Sequence, residues 1–151
     1  MNSTVFCGQS WATLENTPLL RYKHYNHEGG ISTPVIAHWP TGITAHGELR
    51  QQPGHLIDIM ATCVDVAGAT YPAEFKGKPI QPMEGRTLQP AFANQPIPRD
   101  ALFWEHEGNA AIRVGDWKLV RLGREGAWEL YNLKDDRTEL HNLAAEQPDR
   151  V

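Results

Sequence analysis

The first half of the chain mixes short apolar runs with breakers, whereas the last third alternates apolar and polar positions. TPVIAHWP at 33–40 is a brief β-branched apolar run bracketed by prolines, which predicts a buried strand rather than a helix. PGHLIDIMATCVDVAGA at 53–69 predicts a helix that stops at Gly68, a residue suited to the position just past a helix end. Leu56, Met60 and Val64 share one face of that helix, and Ile59, Cys63 and Val66 the neighbouring one. So wide an apolar arc predicts burial between layers.

Residues 70–100 are rich in turns, with GRTLQPAF at 85–92 as a candidate short helix, and a domain boundary is expected there. Beyond it ALFWEHEG, AAIRVGDWKLVRL and AWELYNL carry the period-two alternation of strands. Gly115-Asp116 is a two-residue hairpin signal between two of these runs. Three or four consecutive antiparallel strands are predicted, with Trp104, Trp117 and Trp128 as core anchors. The final DRTELHNLAAEQPDRV turns helical near Leu143.

Composition narrows the class. The 151 residues are 40% hydrophobic and 21% charged, ordinary for a globular protein with a sizeable core. A net charge of −4 with pI near 5.9 and no Lys/Arg cluster speaks against nucleic acid as a partner. No apolar stretch approaches the ~20 residues of a membrane span. Cys7 and Cys63 lack the spacing of a disulfide framework or a zinc motif. The N-terminal MNSTVFCGQSWATLENTP shows no signal-peptide pattern.

The chemistry concentrates in RYKHYNHEGGISTP at 21–34. His24 and His27 are three residues apart and a Gly pair follows Glu28, which does not match the helical His-Glu-x-x-His of zinc enzymes. Lys23 offers a point charge with three donors, as an oxyanion ligand would. Composition alone favours a solvated polar loop. Glu28 reads as the organiser of a turn in which the glycines take positive φ. His106, in WEHEGN, is a candidate for the rim of a substrate cleft or an exposed hairpin tip. Asp58 is explained by the helix start, and His38 by a hydrogen-bonded core position. The sequence contains no P-loop, no Gly-x-Ser-x-Gly and no Asp cluster for a divalent ion.

Taken in order, YKHYNHEGGISTPVIAHWP, HLIDIMATCVDVAG with EGRTLQP, and WKLVR with ELYNLKDDRTELHNLA resemble the C-terminal portion of arylsulfatase-type sulfatases, from about Trp11 onward. The resemblance implies an alkaline-phosphatase-like α/β fold. Residues 1–80 would end the large α/β/α domain, and 81–151 would form a small antiparallel β subdomain with the start of a C-terminal helix. It implies hydrolysis of aryl or carbohydrate sulfate esters to alcohol and sulfate, in a parent that is periplasmic or secreted. The family's formylglycine nucleophile arises in a Cys/Ser-x-Pro/Ala-x-Arg motif, and its calcium is held by Asp and Asn pairs. Neither occurs here, since Cys7 precedes Gly-Gln-Ser-Trp, so both are expected in a preceding part of the parent.

The lysine five residues before the family's Glu-Gly-Gly contacts the sulfate, which makes Lys23 the expected catalytic and substrate-binding residue. His106 is a second, substrate-specificity candidate. No metal ligand is expected in this chain, which is expected to be inactive alone. A phosphodiesterase or phosphonate hydrolase of the same superfamily would use the same cradle. A non-enzymatic, Trp-rich β module binding a sulfated glycan or a protein is the alternative of a different class.

Overall fold

The computed structural model describes residues 8–151, so Cys7 lies outside the described residues. In chain order the elements begin with α1 (Gly8–Glu15), α2 (Glu28–Ile31) and α3 (Asp58–Val66). A two-residue pair β1 (Glu74–Phe75) and β2 (Lys78–Pro79) precedes α4 (Gln89–Phe92). Then come β3 (Leu102–His106), β4 (Asn109–Val114), β5 (Trp117–Arg121) and β6 (Trp128–Asn132), and a 3-10 turn at Pro148–Arg150. Two compact units divide the chain: residues up to Val35 with Asp100–Val151, and Ile36–Arg99.

In the first unit β3–β4–β5–β6 form an antiparallel meander in sequence order. The alternation dictates its two faces. Trp104, Ala111, Val120 and Glu129 lie across from one another, as do Arg113, Lys118 and Tyr131 in the neighbouring row. Ala111, Val120, Tyr131 and Leu133 are the core of this face, with Trp104 packed against them. Val114 pairs with Trp117 across Gly115-Asp116, as the hairpin signal predicts, and Gly115 takes the positive φ that such a turn needs.

Only one of the three expected tryptophan anchors enters that core. Trp117 and Trp128 sit on the opposite face, half-buried beneath Arg150 and Arg121, whose guanidinium carbons are 4.3 and 4.8 Å from the ring centroids. Alternation explains it, because Trp117 and Trp128 fall on the other parity from Val120 and Tyr131. After β6, Leu143 N–H donates to Leu130 O along the sheet edge. Glu146 and Gln147 N–H both donate to Leu143 O, one helical turn that passes into the 3-10 turn.

The second unit is organised by Asp58, fully buried at the start of α3. Its carboxylate accepts the backbone N–H of His55 (2.7 Å) and of Arg86 (2.8 Å) and pairs with Arg99 Nη2 (2.6 Å). One turn on, Thr62 Oγ1 donates to Asp58 O and accepts Leu88 N–H, so α3 gathers the loop that leads into α4.

Two expectations fail within this unit and at its edge. Residues 33–40 form no strand: Val35 is 70% and Ile36 95% exposed, and His38 is exposed rather than a core residue. A strand exists only by pairing, and among the described residues nothing pairs with this run. Likewise α3 is not sandwiched between layers, since Leu56, Ile59 and Met60 are 79%, 46% and 58% exposed. Only its Asp58–Ala61 side is covered. The chain is an α/β C-terminal subdomain whose regular sheet is the small antiparallel one. Among the described residues no helix is long and apolar enough to cross a membrane.

Candidate functional site

The loop carrying Lys23 is held at both ends. Tyr25 N–H donates to Tyr22 O (3.2 Å), which closes a turn with Lys23 and His24 at its tip. The Tyr22 and Tyr25 rings meet edge-on, 5.3 Å between centroids, with Arg21 lying over Tyr25. On the far side Gly29 N–H reaches back to Leu20 O (2.9 Å). A Cβ on Gly29 would collide with Arg21 O, and one on Gly30 with Tyr25 O. Both glycines are needed for this close approach. Neither has positive φ, so the sharp left-handed turn expected at Gly29-Gly30 is instead one turn of helix, α2.

What pins the loop to the sheet is a buried ion cluster. Lys118 Nζ is 2.9 Å from Glu28 Oε1 and 2.8 Å from Glu139 Oε1, and Glu28 N–H donates to Glu139 Oε2 at 2.7 Å. All three residues are at most 4% exposed. Burial pushes the Glu139 carboxyl up from its ordinary value, although Lys118 and the Glu28 N–H pull against the shift. One residue earlier His27, fully buried, places Nε2 3.1 Å from Glu129 Oε2. The same oxygen accepts the Tyr131 hydroxyl at 2.6 Å. Burial opposes ionisation of Glu129, but the hydrogen bonds from Tyr131 and His27 overcome it and hold the carboxyl below its ordinary value. Burial first, and then Glu129, push the Tyr131 hydroxyl far upward. Glu28 is an organiser, as its sequence context suggested, but through a buried lysine.

Lys118 and Glu139 were missed as members of the site. The signal was present for Lys118: in WKLVR it shares parity with the core residue Val120, and an inward-facing charge needs a partner. Glu139 sits in an irregular stretch where no period marks it.

The tip of the loop is differently placed. Lys23 is exposed and makes no hydrogen bond or ion pair among the described residues. His24 carbonyl accepts Asn109 Nδ2 (2.9 Å), and Asn109 Oδ1 accepts Gly123 N–H (2.9 Å). This clamp fastens the loop to the start of β4. His106, exposed at the end of β3, stacks on His24 with centroids 5.4 Å apart. The fold thus brings His106 to the loop next to Lys23, two positions that lie far apart in sequence. A tethered loop with a free ammonium and an imidazole at its rim can bind and orient an oxyanion.

Comparisons with known proteins show the family. Residues 20–150 match the family described as N-sulphoglucosamine sulphohydrolase, C-terminal. The chain belongs to that family and corresponds to the C-terminal portion of a sulfatase. It is similar to an uncharacterized sulfatase of Schizosaccharomyces pombe, 32% identical over 98% of this chain and 28% of that protein. A sulfatase of Formosa agariphila is 30% identical over 88% of this chain and 26% of its own length. Among solved structures, Ps i-CgsB superposes with a TM-score of 0.70 at 28% identity, covering 87% of this chain and 29% of that one. Ps i-CgsB has also been solved in complex with k-i-k-neocarrahexaose. The chain spans less than a third of the length of these relatives.

Proposed function

We propose that this chain is the sulfate-contacting tail of an enzyme that hydrolyses carbohydrate sulfate esters, with Lys23 as the anion ligand and His106 as a specificity residue at the cleft rim. The observation that carries the proposal is the contrast between two lysines. Lys118 is fully buried and spent on the Glu28–Glu139 cluster, whereas Lys23 has no partner among the described residues and lies on a loop which that cluster holds. Breaking the S–O bond adds charge to the leaving oxygen while the nonbridging oxygens stay negative. A fixed ammonium stabilises both, most strongly once water is excluded. The hexaose complex of the similar Ps i-CgsB supports a sugar-bearing substrate.

In the parent protein, residues 1–80 would close the large α/β domain and 81–151 would form the small subdomain. Calcium and a formylglycine nucleophile would come from the preceding portion. The described residues do not fit either group. Cys63 is exposed on α3 and precedes Val-Asp-Val, and the one convergent donor group among the described residues holds two imidazoles and a single carboxylate. Calcium takes oxygen ligands in greater number. The role of this chain is to bind and neutralise the anion.

The test is steady-state hydrolysis of a sulfated sugar by the chain joined to the preceding portion its relatives carry. Lys23→Ala should raise KM and lower kcat, a loss of ~2–4 kcal/mol or roughly 30- to 1000-fold in kcat/KM. Lys23→Arg should restore only part, because a planar fork cannot place its charge at the same point. Lys134→Ala, exposed beyond β6, is the control. A Lys23→Ala enzyme within a few-fold of the parent would refute the assignment. So would turnover by the 151-residue chain alone above its Lys23→Ala variant. Faster cleavage of a phosphate diester than of the sulfate ester would move the parent to the phosphodiesterase branch.

A further inference from the structure

Around the tip of the Lys23 loop three metal-ligating side chains converge. His24 Nδ1 lies 2.8 Å from Glu107 Oε2 and 3.3 Å from His106 Nε2, and His106 Nε2 is 3.9 Å from Glu107 Oε1. As hydrogen bonds alone these contacts make one atom, His24 Nδ1, serve both Glu107 and His106. A neutral His24 has at Nδ1 either one proton or one lone pair. If the proton points to Glu107, His106 Nε2 can only share it as a second acceptor. If the lone pair accepts from His106, it also faces a carboxylate oxygen. A cation at the centre satisfies all three donors at once.

The arrangement is also built in advance. The His24 carbonyl is fixed by Asn109, itself fixed by Gly123 N–H. The His24 and His106 rings stack at an interplanar angle of 26°. His24 and Glu107 both hold positive φ, 80° and 54°, a backbone conformation that L side chains rarely adopt. Glu107 is the first residue of the β3–β4 turn, and Gly108, the second, has φ 85° and donates its N–H to Glu105 Oε1.

We propose that His24 Nδ1, His106 Nε2 and the Glu107 carboxylate form a binding site for a zinc-class divalent transition metal. Zinc–donor bonds of about 2.0–2.2 Å in a tetrahedron separate donors by about 3.3–3.6 Å, a range bracketed by the 2.8, 3.3 and 3.9 Å contacts of this cluster. Two imidazoles and one carboxylate suit zinc, cobalt, nickel or copper rather than calcium or magnesium, which prefer oxygen. Three protein ligands leave a fourth position for water or a ligand oxygen. The ion would tie the Tyr22–Tyr25 turn to the β3–β4 turn, two segments more than eighty residues apart. The proposal concerns this chain's own residues and does not rest on the sulfatase assignment.

The test uses the untagged 151-residue chain, made metal-free and titrated with Co²⁺ and with Zn²⁺ against a chromophoric chelator. One equivalent should bind, with the visible absorption of low-symmetry Co²⁺ displaced by Zn²⁺. Paramagnetic broadening should be confined to amide signals near residues 22–25 and 105–109. His24→Ala and Glu107→Gln should each weaken binding at least about tenfold. His38→Ala and His141→Ala, exposed elsewhere, should stay within about twofold. Broadening in the unmutated chain keeps the result readable even where a variant misfolds. Absence of stoichiometric binding, broadening centred elsewhere, or equal loss in the control variants would overturn the proposal.

Discussion

Replacing Lys118 by Met tests the buried cluster most directly. The substitution keeps most of the side-chain volume and removes the ammonium that faces two carboxylates, Glu28 and Glu139, at 2.9 and 2.8 Å. Both carboxylates remain buried, 4% and 2% exposed. Breaking such a pair from one side typically costs about 3–5 kcal/mol, because the remaining charge is left without compensation. That is roughly a 150- to 5000-fold drop in the folding equilibrium.

Hydrogen exchange of the β4 and β5 amides measures that loss within the sheet unit. The pH dependence gives a second handle. The folded Glu139 carboxyl is already raised above its ordinary 4.5 by burial, so its contribution to stability is complete below that value and is lost as pH rises through its folded value. Without Lys118 the carboxyl rises further, so the deficit of the variant should be larger at pH 7 than at pH 5. Adding Glu28→Gln and Glu139→Gln should return part of the stability. A Lys118→Met protein within about 1 kcal/mol of the parent at pH 7 would refute the claim that this cluster pins the loop.

Two further outcomes follow from the same unit. Gly30→Ala sets a methyl against Tyr25 O, a backbone atom with little room to yield, and should cost at least ~1–3 kcal/mol, read from the same exchange rates. Tyr131→Phe removes the hydroxyl that donates to Glu129 and should cost about 1–3 kcal/mol near neutral pH. Because the folded Glu129 carboxyl is lowered, its stabilisation is present above 4.5 and is lost as pH falls through its folded value. The gap between Tyr131→Phe and the parent should therefore close on acidification, and a gap that widens would contradict the geometry.

Local sequence determined the sheet almost completely. Alternation of apolar and polar residues from 102 to 132 fixes which side chains face inward, and Gly115-Asp116 fixes one register, because a period of two leaves a single way to bury the apolar set. The helix at 58–66 was equally legible, and so was the resemblance that singled out Lys23. The same alternation could have sorted the tryptophans, two of which fall on the opposite face.

Only the tertiary structure decided the rest. Nothing local says that Lys118 and Glu139 meet Glu28, or that His24 meets His106 and Glu107, since these contacts span 82 to 111 positions and depend on how the loop lies on the sheet. The run at 33–40 shows the converse. Its residues have the composition of a strand, yet strand formation is a property of a pair, and with no pairing neighbour among the described residues Val35 and Ile36 are exposed.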